Sequence, residues 1–106
     1  MDPMEDPNQI EVPPSFTALF ASPSGHRLLQ PMPVVRERYE LCEDLAQMLT
    51  EQASSVMFKS GRTEREVLQQ MQLALTGPES VVEPAEAAWV VRRLAELLAW
   101  EAPPAD

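Results

Sequence analysis

His26 is the only histidine and Cys42 the only cysteine in the 106-residue chain. These are the two side chains whose type suits acid–base or nucleophilic chemistry near neutral pH. Neither has the neighbours that such chemistry needs. His26 follows Ser22, Ser24 and Gly25 in a proline-rich stretch, with nothing nearby to orient its ring, and reads as a solvated loop residue. Cys42 lies between Tyr39 and Ala46 on an apolar helical stripe, with no cation on that face to lower its pKa. It reads as a buried, inert thiol.

The carboxylates and the basic cluster point the same way. Glu40, Glu43, Asp44 and Glu51 form an external row on one helix, which lacks the enclosing oxygen cage that calcium or magnesium sites use, so it reads as a solvated acidic face. Lys59-Ser60-Gly61-Arg62 lacks the first glycine of a phosphate loop and the strand that would precede it. With Arg65 it makes the one net-positive part of the chain, a place where an anion could meet the start of a helix. No catalytic residue, metal site or cofactor is therefore expected.

Two features suit recognition better. In Phe16-Thr17-Ala18-Leu19-Phe20, with Ser15 as a potential cap, Phe16, Leu19 and Phe20 stand at the i, i+3, i+4 spacing of anchors that enter a groove. The bland alternative is that they fill a groove on this protein's own helices. The other feature is a face holding Trp89, Arg93, Glu96 and Trp100, where Arg93 is within one turn of Trp89 and tryptophan and arginine are the residue types enriched at binding hot spots. The same rings could equally seat the N-terminal segment.

The elements that would position these groups follow from periodicity. Seven of eleven prolines fall within the first 33 residues, which forbids a long helix there and makes residues 1–33 an arm with one short helix at about 15–21. Its apolar residues, among them Ile10, Val12, Leu28 and Leu29, suffice for partial packing. From Pro33 to Phe58 the residues Val35, Tyr39, Cys42, Ala46, Leu49, Ala53 and Val56 alternate spacings of four and three, with Leu41, Leu45 and Met48 widening the stripe. A second helix starts at Thr63, where Glu66 completes a capping box, and stops at Gly77-Pro78, with Gly77 expected in the left-handed cap conformation. On it Leu73 points away from the apolar face. A third helix starts at Glu83 or Pro84 and runs to about Trp100, with Ala87, Val90, Val91, Leu94, Leu97 and Leu98 as its core stripe and Trp89 and Trp100 projecting together on the other side. The reading is all-α: an antiparallel three-helix bundle over 34–101 behind the arm, and a frayed tail at 102–106.

Composition bounds the function classes. Seventeen acidic against eight basic residues give a net charge of -9, which disfavours phosphate-tracking nucleic-acid binding and anionic membranes. By segment, residues 1–33 carry -3, 34–58 carry -3, 59–77 carry +1 and 78–106 carry -4. One cysteine makes no internal disulfide, no stretch approaches a membrane span, and the acidic N-terminus does not resemble a signal peptide. The expectation is a small cytoplasmic protein.

The stretches Arg38-Tyr39-Glu40-Leu41-Cys42-Glu43-Asp44-Leu45-Ala46 and Ala88-Trp89-Val90-Val91-Arg92-Arg93-Leu94-Ala95-Glu96-Leu97-Leu98 resemble those of short uncharacterised proteobacterial helical proteins. The resemblance spans most of residues 10–100, though neither stretch is a functional motif. Some of those proteins are labelled ATPase with chaperone activity, a label that implies a phosphate loop and an acidic metal-binding strand; this sequence has neither, so the label does not carry over. The functional expectation is a non-enzymatic interaction module. It would bind a protein partner or a second copy through the third helix and arm, using Trp89, Arg93, Trp100, Phe16, Leu19 and Phe20. The alternative is a small regulatory nucleic-acid binder using Arg62, Arg65, Arg92 and Arg93 on the second and third helices.

Overall fold

Proline, threonine and backbone handedness set the element boundaries in the computed structural model, which describes residues 11–100. The expected tail at 102–106 and the arm residue Ile10 lie outside the described residues. The elements are α1 (Pro14–Thr17), continued by a 3-10 turn (Ala18–Phe20), then α2 (Met32–Ser60), α3 (Glu64–Leu75) and α4 (Pro84–Leu98). Helix is thus the regular structure of the described residues, and their one strand-like feature is an isolated antiparallel bridge between Ala21 and Leu28. No helix among them is long and apolar enough to cross a membrane.

The chain forms two compact units, one ending at Tyr39 and the other beginning at Glu40, so that α2 contributes its first turns to the former and the rest to the latter. In the first unit the cap of α1 is Pro13 rather than Ser15. The Pro13 carbonyl accepts from the Phe16 and Thr17 amides at 3.0 and 3.1 Å and from Thr17 Oγ1 at 3.1 Å. Proline's fixed φ suits Pro14 to the first helical position. After the 3-10 turn the chain reverses: the Ser22 amide donates to the Arg27 carbonyl at 2.7 Å and the Leu29 amide to the Phe20 carbonyl at 2.7 Å.

In the second unit α2, α3 and α4 supply one cluster. Ala53 comes from α2, Val67, Leu68 and Met71 from α3, and Val91, Leu94 and Ala95 from α4, with Leu49, Val56, Met57, Leu75, Leu98 and Trp100 packed around them. The period-3.6 stripe of α2 is legible in its burial: Cys42, Ala46 and Ala53 are fully buried. The widening residues are not, for Leu41 is 36% and Met48 68% exposed.

The helix ends combine agreement with the sequence reading and departures from it. Thr63 and Glu66 form the expected reciprocal box, with the Glu66 amide donating to Thr63 Oγ1 at 3.1 Å and the Thr63 amide to Glu66 Oε1 at 2.9 Å. At α4 the Glu83 amide donates to Glu86 Oε1 at 2.9 Å, which gives the buried Glu86 carboxylate a partner at the helix start. Gly77 does not take the left-handed conformation; α3 closes instead on Thr76, whose amide and hydroxyl both donate to the Leu73 carbonyl. At the helix ends the left-handed glycine is Gly61, at φ 70, whose amide returns to the Met57 carbonyl and ends α2. Helix α4 stops at Leu98 because Ala99 adopts φ 57, and the Trp100 amide then donates to the Ala95 carbonyl at 2.8 Å while the Ala99 amide reaches the Glu96 carbonyl at 3.1 Å. That pair is the Schellman closure, and its usual apolar contact appears as Trp100 packed on the shared cluster.

A left-handed residue with a Cβ is strained, so Ala99→Gly should raise the unfolding free energy by about 1 kcal/mol and Gly61→Ala should lower it by about as much. Gly77→Ala should stay within about 0.5 kcal/mol of the parent, since its added Cβ meets only the Ala74 carbonyl at 3.8 Å. Urea titrations of the three variants check the set.

Candidate interaction surface

Most of the residues expected to meet a partner have work inside the fold. Phe16 is fully buried; its ring stands edge-on to Tyr39 with centroids 5.6 Å apart and tilted against Phe20 at 5.5 Å. A ring held this way is a plug for its own unit, so of the three expected anchors only Leu19 and Phe20 keep partial exposure. Trp89 is 8% exposed. The solvent-facing part of α4 past its first residue is a narrow row, Ala85, Arg92 and Glu96, spaced by seven and four. Trp89 lies beside that row. Trp100 cannot share a face with it by helical spacing, because the left-handed Ala99 intervenes and turns the ring onto the core. The aromatic face expected on the third helix is therefore not presented to solvent.

Arg93 is held by carboxylates rather than by a ring. Its Nε donates to Glu43 Oε1 at 2.8 Å and its Nη2 to Glu43 Oε2 at 3.1 Å, a two-pronged bond linking α4 to α2, while Nη1 donates to Glu96 Oε1 at 3.1 Å. Gln47 Nε2 adds a further donor to Glu43 Oε2 at 2.9 Å. The Arg93 bonds, helped by Gln47, hold the Glu43 carboxyl below the usual carboxylate range, and Glu43 in turn raises the pKa of Arg93. The pair was not visible from local spacing because its members are fifty residues apart. One signal was available: both positions lie at the edge of an apolar arc, where long charged side chains bridge neighbouring helices.

The other candidates are placed as follows. Cys42 is buried. His26 is exposed in the reversed loop of the first unit, where with Arg27, Pro14, Ala18 and Ala21 it lines an open cleft of about 560 Å³. Among the described residues no three His, Cys, Asp or Glu side chains come together as a metal-binding group. The start of α3, expected from the sequence as a place for an anion, already holds one: Glu66 accepts from the Thr63 amide and hydroxyl, and these bonds keep its carboxyl below the usual range. Of the four arginines that a nucleic-acid interface would need, Arg62 donates to Gln70 Oε1 at 2.8 Å and Arg93 is committed to Glu43 and Glu96. Arg65 and Arg92 remain exposed.

What the second unit does leave open is the flank of α2. Leu41, Leu45 and Met48 follow the i, i+4, i+7 spacing of one helical row, half-buried at its centre and exposed at both ends. Glu40, Asp44 and Glu51, all exposed, run alongside it. Phe58, 90% exposed, and Leu73, 75% exposed, stand apart from this row, and single surface residues of that kind are ordinary. Set against family models, curated proteins and solved structures, the chain matches none of them.

The Glu43 bonds carry a pH signature. A carboxyl whose pKa is depressed in the folded state contributes stability above its unfolded pKa and loses it as pH falls through the folded value. At pH 7 Glu43→Gln should cost about 0.5–1 kcal/mol, the range of a partly exposed pair. The difference from the parent should vanish once the pH falls below the ordinary carboxylate range; unfolding titrations at a series of pH values read it directly.

Proposed function

We propose that this chain is a non-enzymatic, all-helical interaction module that binds another protein through the outer flank of α2. In this reading α2, α3 and α4 form an antiparallel three-helix bundle. That arrangement is supported by the single cluster to which all three helices contribute and by connections of three and eight residues between them, short enough to join antiparallel neighbours. The binding surface differs from the α4 and arm surface expected from the sequence, because burial removes Phe16 and Trp89, and Glu43 holds Arg93.

The observation that carries the reading is the exposure of Leu41 and Met48, seven residues apart on one helix and rimmed by carboxylates. Apolar anchors in a row with a polar rim are how helices recognise one another. Methionine's unbranched, polarisable side chain adapts to different surfaces, which suits Met48 to the exposed end of such a row.

The test is photo-crosslinking in the native cell with a photoreactive residue replacing Met48, and replacing exposed Gln70 as the control. A discrete protein adduct from position 48, absent from position 70, is the expected result. Equal patterns from both positions, or no adduct from either, contradict it.

A further inference from the structure

We propose that the partner element seated on the α2 flank is a basic amphipathic helix, with apolar residues on one row and lysine or arginine beside it. This rests on the interaction reading above and adds the chemistry of the partner.

The argument combines shape with charge. Leu41, Leu45 and Met48 extend for about 10 Å along α2, two helical turns, and a second helix laid nearly parallel would meet that row with two or three apolar side chains of its own. The row is flanked by Glu40, Asp44 and Glu51, which are exposed and whose side chains enter no hydrogen bond or ion pair among the described residues. Glu43 differs from them, being already neutralised by Arg93. Three uncompensated carboxylates beside an apolar row favour an incoming cationic side chain and repel an anionic one.

The same charges argue against the other occupants. A second copy would bring like carboxylates face to face in a chain of net charge -9. The segments outside the described residues carry Asp2, Glu5 and Asp6 at one end and Glu101 and Asp106 at the other, with no lysine or arginine, so neither complements the rim.

The experiment is calorimetric titration of the full chain with three synthetic helical peptides of about 18 residues: a leucine/lysine amphipathic helix, its leucine/glutamate counterpart, and a serine/lysine peptide of equal charge without an apolar row. The leucine/lysine helix should bind and the other two should not. The pair Leu41→Ser and Met48→Ser should weaken binding by about tenfold or more, as loss of central apolar anchors does. The trio Glu40→Gln, Asp44→Asn and Glu51→Gln should weaken it by about tenfold at low salt and flatten its salt dependence. Circular dichroism is expected to show both variants folded, since every altered position is solvent-exposed.

Binding of the leucine/glutamate helix or the serine/lysine peptide as tightly as the leucine/lysine helix would overturn the proposal. So would leucine/lysine binding that the serine pair leaves unchanged, or a dimer in light scattering that the serine pair dissolves. A cellular adduct at position 48 with a protein whose binding is indifferent to salt would overturn the basic-helix assignment while leaving the interaction reading intact.

Discussion

The constraint on which the second unit depends is the burial of seven of the fifteen residues of α4. Glu86, Ala87, Trp89, Val90, Val91, Leu94 and Ala95 all fall in the buried class within one fifteen-residue helix. A helix with that much apolar surface is unstable on its own, so α2 and α3 are organised around it and supply Ala53, Val67, Leu68 and Met71 to the cluster containing Val91, Leu94 and Ala95. The small Ala53 and Ala95 and the larger Leu68 and Leu94 are buried together in that cluster. The Arg93–Glu43 bond fixes the edge of this packing without entering it, and it fits the edge because guanidinium and carboxylate can satisfy each other while still touching water.

Local chemistry was the legible part of the sequence. The α2 stripe, the Thr63–Glu66 box and Pro84 at the first position of α4 depend on neighbours a few residues apart, and helical spacing alone places them. What escaped was handedness and long-range pairing. Gly77 next to Pro78 has the composition of a left-handed stop, yet Thr76 closes α3 with its own hydroxyl and leaves Gly77 nothing to cap. Ala99 carries no composition signal for a left-handed residue, so extending α4 to Trp100 was the natural extrapolation, and that one residue reverses which way the indole faces.

These departures decide which surface the proposed interaction can use. Tryptophan beside arginine on a helix suggests a hot spot, but the same residues make good internal packing, and only burial separates the two. Once Trp89, Trp100 and Phe16 are assigned to packing, the surface proposed for recognition moves from the aromatic third helix and arm to the acidic-rimmed row on α2. The acidity of that helix, which first suggests only a solvated face, then takes a role in the proposed interaction: it would select among partners by charge.

The most direct test of this account is the solvent accessibility of individual side chains in the native chain, read by NMR line broadening with a soluble nitroxide. The Met48 methyl signal should broaden strongly, while the Trp89 and Phe16 ring signals should be protected. Trp89 broadened as strongly as Met48 would show that α4 presents its aromatic side to solvent and would contradict the account.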